Sequence, residues 1–199
     1  MNIQEIEEYL REMGEILPKH LKNLGLPGQT IRIFTFGGII MAYTGVRSAT
    51  YDVDFKFLDF LSIAEERAEK RNVSVPTHAF MSAAQEVARN HRLRHDWIND
   101  DGAMFIEMYL DNSHHASYME YWKNFGLIHV FFPTLQCQLV LKILSGRPKD
   151  IPDVMTLRHI LKLFSREETL RVVNDFIDPQ LQKVFFETMD VEAFIQDLS

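Results

Sequence analysis

Cysteine is nearly absent from this chain: Cys137 is the only one among 199 residues. A single thiol excludes an internal disulfide and any cysteine cluster that could hold zinc. Its apolar neighbours in "LQCQLVL" predict a buried, structural thiol. Long apolar runs are missing too. No stretch approaches the ~18 uninterrupted apolar residues of a membrane span, and "MNIQEIEEYLREMGE" is acidic where a secretory signal is basic and then apolar. The expectation is a cytoplasmic protein with no membrane partner. Positive charge is scarce as well, since 21 Lys and Arg against 28 Asp and Glu leave a formal charge of −7 and a pI near 5.6. That balance argues against a broad phosphate-neutralising surface for duplex nucleic acid, while leaving room for a small local basic pocket. No internal repeat, low-complexity tract or long linker divides the chain. The 46% hydrophobic composition at this length suits one globular unit, or a core with a helical appendage.

Periodicity supplies the organisation. Ile3, Ile6, Leu10, Met13 and Leu17 recur at three- and four-residue spacing among acidic residues, which predicts an amphipathic helix over residues 1–24. "TIRIFTF" alternates as a strand, "GGIIMAYTG" reads as a short helix closed near Gly45, and "TYDVDFKF" alternates again. Residues 78–92 carry the apolar stripe Phe80, Ala83, Ala84 and Val87 of a core helix, and "AMFIEMYL" and "GLIHVFF" are two further strand candidates. From Pro133 onward the chain reads as helix. One helix closes at Gly146, one starts at Asp150 and Pro152 and runs through Phe164, one has a capping box at Ser165 and Glu168, and one starts at Asp178 and Pro179. The expected fold is α/β of the α+β kind: a small mixed sheet over residues 25–133 flanked by helices, with residues 134–199 as a helical C-terminal region.

The chemistry concentrates in residues 34–57. On a strand the apolar set Tyr51, Val53, Phe55 and Phe57 faces one way, and Asp52, Asp54 and Lys56 the other. Same-face neighbours lie roughly 7 Å apart at Cα, so their carboxylates can converge. Two convergent carboxylates repel unless a cation or a shared proton intervenes. Mg²⁺, or Mn²⁺ in its place, suits two carboxylates plus water and substrate phosphates. Gly37 and Gly38 form a turn with no Cβ in the way of a phosphate, and Arg47 can add a charge-assisted contact.

Gly37, Gly38, Gly45, Arg47, Thr50, Asp52 and Asp54, in the order G-G-x6-G-x-R-x2-T-x-D-x-D, resemble the signature of the nucleotidyltransferase superfamily that includes DNA polymerase beta. The likeness is to its bacterial toxin–antitoxin and abortive-infection branch. Lys142, Arg147, Lys149, Asp150 and Asp153 are similar to that branch's downstream K-x4-R-x-K-D-x2-D segment, and "DWINDD" to one of its loops. The resemblance implies transfer of a nucleoside monophosphate from an NTP to an acceptor, with Asp52 and Asp54 holding the metal. It implies that Gly37, Gly38, Arg47, Thr50 and Lys142 contact the nucleotide. It also implies a third carboxylate on a later strand. "GLIHVFF" offers His129 but no acid, whereas "AMFIEMYLD" puts Glu107 and Asp111 on one strand face, so Glu107 is the candidate third catalytic acid.

Each signal also has a plainer reading. A D-x-D pair can be a solvated strand face, and the glycine pair a tight turn. Lys142, Arg147, Asp150 and Asp153 fit ion pairs that tie two helices together. His91 and His95 have the i, i+4 spacing of a zinc grip, but "HRLRHD" fits an exposed basic helix end; His114-His115 lies in a polar loop. Trp97 reads as a core anchor and Asp100 as a turn residue or outer acid. Two functions follow: an Mg²⁺-dependent nucleotidyltransferase, or an inactive relative that binds a protein partner such as a cognate toxin or antitoxin.

Overall fold

The structure is a computed structural model that describes residues 1–58, 74–110, 118–182 and 194–196. Helix α1, Ile3–Asn23, starts at an Asn2 capping box in which Asn2 accepts from the Glu5 amide and Glu5 accepts from the Asn2 amide. It buries Ile6, Leu10, Met13 and Leu17 of the predicted stripe and adds Leu21, while Ile3 is only partly buried. Then come β1 (Ile31–Phe36), α2 (Gly38–Tyr43), β2 (Val53–Phe57), α3 (Ser74–His91), β3 (Ile98–Asn99) and α4 (Ala103–Tyr109). Strands β4 (Met119–Phe125) and β5 (Ile128–Pro133) follow. Helices α5 (Leu135–Ser145), α6 (Ile151–Ile160) and α7 (Arg166–Phe176) come last, with a 3₁₀ turn at Pro148–Asp150.

The strands form one mixed sheet in the order β3-β2-β1-β5-β4. β1 pairs antiparallel with β2 and parallel with β5, while β2 pairs parallel with β3 and β4 antiparallel with β5. Side-chain alternation gives the sheet two cores. Ile31, Ile33, Val53, Phe55, Ile128 and Val130 pack beneath α1 and α3. Phe34 and Phe36, on the opposite face, pack against α5, α6 and α7 through Cys137, Leu139, Val140, Ile143, Val154, Leu157 and Val173. Asp54 and Lys56 project to this second face, which is why the carboxylates meet the C-terminal helices. α1 crosses the β4–β5 hairpin at Gly14, where a Cβ would stand 2.3 Å from the Phe125 carbonyl oxygen.

The expected α/β architecture is the observed one, with local corrections. Residues 103–109 form a helix, not a strand. Met104, Ile106, Met108 and Leu110 alternate, but alternation also contains i, i+4 pairs. Ile106 and Leu110 are buried while Met104 and Met108 are exposed, as a helix built of good helix formers requires. The strand "MEYWKNF" carries no apolar alternation because it is a sheet edge: only Phe125 is buried, and its charges guard the open side. Tyr51 precedes β2 and is 87% exposed, so it does not share the core face of Val53 and Phe55.

The C-terminal helices begin where their caps indicate. Thr134 caps α5, Gly146 closes it at a positive φ of 60°, and Ser165 and Glu168 form the capping box of α7. α6 stops at Ile160, four residues before the expected Phe164, where Lys162 turns to a φ of 57°. Asp178 accepts from the Gln180 amide at the start of the next expected helix. Asp111 and His114-His115 lie outside the described residues. Among the described residues no helix is long and apolar enough to cross a membrane.

Candidate functional site

Helix α5 lies against the sheet face that carries Asp54, and between them opens a cleft of about 270 Å³. Phe36 and Gly37 line it where β1 ends. Asp52 immediately precedes β2, Asp54 lies on it, and Asn99, Asp101 and Gly102 come from β3 and the loop after it, while Gln138, Leu141, Lys142, Ser145 and Arg147 come from α5 and the turn after it. The cleft is therefore acidic on the sheet side and basic on the helix side.

The glycine pair explains the fit of the acids. Gly37 has a φ of 75°, a conformation L side chains rarely adopt, and a Cβ there would lie 2.5 Å from Asp54 Oδ2. A Cβ on Gly38 would lie 2.0 Å from Thr50 Oγ1. The first glycine makes room for the Asp54 carboxylate and the second for Thr50. The Thr50 hydroxyl donates to the Asp52 carbonyl at 3.0 Å, fixing the approach to β2. Gly, Thr and Asp thus cohere as one packed unit, and Thr50 acts on the backbone of Asp52 from outside the cleft lining.

Asp54 is in an unfavourable place for a charge. Burial and then the neighbouring Asp52 carboxylate push its pKa up to about 6, with Asp101 adding to the rise and Arg147 and Lys142 opposing it. A carboxyl in that state gains from any cation that enters the cleft. Asp52 and Asp54 share the site with the carboxylate of Asp101 and the amide of Asn99, whose Oδ1 accepts from the Asp101 amide. Two carboxylates with open space for water and phosphate oxygens are the donor set magnesium takes. Among the described residues no group of three His, Cys, Asp or Glu side chains could hold a metal ion, so a metal here would draw further ligands from water or substrate.

On the opposite side the acids are already paired. Lys142 Nζ contacts Asp150 Oδ1 at 2.6 Å and Asp153 Oδ2 at 2.8 Å. Arg147 Nε donates to Asp150 Oδ2 at 2.7 Å, and the Ser145 hydroxyl to the same atom at 2.9 Å. Burial disfavours the Asp150 carboxylate, yet Lys142, Arg147 and Ser145 outweigh it and hold the group below the usual carboxylate range. The ion-pair reading of the downstream segment is thus what these residues do.

Arg47 belongs to this network. Its Nε donates to Asp153 Oδ1 at 2.8 Å and a terminal nitrogen stands 2.7 Å from Asp153 Oδ2, a two-point contact outside the cleft lining. Three cations, Arg47, Lys142 and Arg147, serve two carboxylates, which leaves a positive surplus beside the cleft.

Glu107 takes another place. It sits on α4, its side chain is 60% exposed, and it pairs at 3.1 Å with Lys56, which is itself buried. It does not line the cleft; Asp101 is the acid that joins Asp52 and Asp54 there. His129, on β5, packs edge-on to Tyr121 of β4 and also lies outside the lining. His91 hydrogen-bonds Glu12 on α1, in keeping with an exposed basic helix end. Trp97 is a buried anchor whose indole donates to the Ala84 carbonyl. The Asp100 carbonyl accepts from the Ala103 amide, as a turn residue.

Reasoning from sequence missed Asn99, Asp101, Gly102 and Gln138. The one signal for the loop was the polar run after Trp97, and Gly102 carries a tell-tale: a Cβ there would meet the Phe36 ring at 2.6 Å. Compared with family models, with curated proteins and with solved structures, the chain matches none, so the site is read from its own geometry and chemistry.

Proposed function

We propose that this chain is an Mg²⁺-dependent nucleotidyltransferase that moves a nucleoside monophosphate from an NTP to an acceptor, in keeping with the resemblance of its glycine and aspartate motif. One observation carries the reading: a single cleft sets two acids, Asp52 and Asp54, opposite the basic residues Lys142 and Arg147. That polarity suits a cation bound to a polyphosphate. Asp52 and Asp54 would hold the ion, Mg²⁺ or Mn²⁺, which would polarise the phosphates and acidify the acceptor hydroxyl. Lys142 donates to Asp150 and lies 2.8 Å from Asp153, and a remaining N–H would serve a phosphate oxygen; Arg147, half exposed, would add a second donor. Asp101, the third carboxylate lining the cleft, would accept the acceptor's proton directly or through one water. Positioning and charge compensation supply most of the rate in such transfers.

The test is thermal stabilisation by each NTP with Mg²⁺, together with release of labelled pyrophosphate in the presence of a cell extract as acceptor source. Both effects are expected in the wild type and absent from Asp52→Asn. Wild-type protein that neither binds any NTP with Mg²⁺ nor releases pyrophosphate overturns the reading. One observation favours a second reading, a protein-binding module of a toxin–antitoxin pair without turnover: the described residues include no complete three-ligand metal set. NTP binding without pyrophosphate release across a panel of acceptors is its signature.

A further inference from the structure

Gln138 is fully buried on α5, and both ends of its amide are spent on one residue 101 positions away. Its Oε1 accepts from the Gly37 amide at 3.2 Å, and its Nε2 donates to the Gly37 carbonyl at 3.1 Å. Among the described residues no other side chain hydrogen-bonds the Gly37 amide or carbonyl, and Gly37 is where the backbone takes a φ of 75°. The same glycine is the surface against which Asp54 rests, so close that a Cβ would stand 2.5 Å from Oδ2. The chain of contact runs from Gln138 to the Gly37 backbone to the Asp54 carboxylate. A glycine with two free torsions, next to a carboxylate repelled by Asp52, would otherwise give way.

We infer that Gln138 is a positioning residue for the metal-binding acid pair: by clamping both polar groups of Gly37, it holds the backbone against which Asp54 presents its carboxylate to a divalent cation. The inference rests on the proposed metal site, and it adds a residue the aspartate motif does not contain. It also gives α5 a second task, since Gln138 and Lys142, one helical turn apart on it, line the same cleft. Residues that orient metal ligands from outside the coordination shell typically change metal affinity by about 10- to 100-fold when altered.

The experiment measures Mn²⁺ affinity by electron paramagnetic resonance on the full chain for wild type, Asp52→Asn and Gln138→Met, together with the melting temperature without metal. Methionine keeps the volume and removes both hydrogen bonds. The expected result is Mn²⁺ binding by wild type, loss in Asp52→Asn, and affinity weaker by about tenfold or more in folded Gln138→Met. Should Gln138→Met fail to fold, Gln138→Asn repeats the comparison, because a side chain one methylene shorter cannot make both bonds. Unchanged Mn²⁺ affinity in a folded variant with a lowered melting temperature makes Gln138 a purely structural clamp and overturns this inference alone. Absence of Mn²⁺ binding by wild type overturns the metal site and this inference with it.

Discussion

Asp54 lines the cleft, Asp150 is buried behind its basic wall, and the two have opposite electrostatics. Asp150 receives Lys142, Arg147 and Ser145 and is held below the usual carboxylate range. Asp54 faces Asp52 and Asp101, and burial with that repulsion raises its pKa to about 6. The protein thus supplies cations for one acid cluster and withholds them from the other. An acid already matched by the fold is a structural tie, whereas a buried acid left unmatched is where an external cation gains most.

Removing the matched acid should have the largest effect. Asp150→Ala leaves the buried Lys142 with one partner instead of two and unpairs Arg147, and losing one member of a buried ion pair costs about 3–5 kcal/mol. Urea denaturation at pH 7.5 should detect this loss; a change below about 1 kcal/mol would abolish the contrast between the two clusters.

The unmatched acid should act in the other direction and in a different pH window. The folded-state pKa of Asp54 lies above its unfolded value near 3.8, so its burial carries no penalty while it is protonated, and stability is lost as pH rises from about 4 through 6. A two-unit rise corresponds to about 2–3 kcal/mol, and Asp54→Asn should flatten the metal-free stability profile over that range while raising stability at pH 7.5. Asp150 titrates the opposite way: its folded pKa is depressed, so its contribution is present above the unfolded value and is lost only as pH falls below about 4. Profiles of the two variants that change in the same window would break the comparison.

Two smaller effects sharpen it. Asp52→Asn removes the charge that opposes Asp54, so the metal-free protein should gain about 0.5–1 kcal/mol at pH 7.5 even as it loses Mg²⁺-linked NTP binding; calorimetry with and without Mg²⁺ separates the two outcomes. Glu107→Gln should change least. Glutamine keeps an oxygen that can accept from the buried Lys56 ammonium, so stability should change by about 1 kcal/mol or less, and Mn²⁺ affinity should match wild type. A clear loss of Mn²⁺ affinity would return Glu107 to the site in place of Asp101.

Local periodicity and chemistry, which neighbours in sequence carry on their own, determined a good part of this protein. The α1 stripe, the alternation of Val53 to Phe57, the capping boxes at Asn2 and Ser165, and the coupling of Gly37, Gly38, Thr50, Asp52 and Asp54 all operate over short separations. Where two periods fit one segment, as at residues 103–109, only burial of Ile106 and Leu110 chose the helix. The edge strand β4 lacked an apolar face to announce it, because pairing with β5 rather than burial holds it in place. The partnerships of the cleft were beyond any local signal. Gln138 reaches Gly37 across 101 residues and Arg47 reaches Asp153 across 106, and such pairings exist only once α5 and α6 settle on the sheet. Tertiary packing therefore decided which acids are paired with cations and which line the cleft without one.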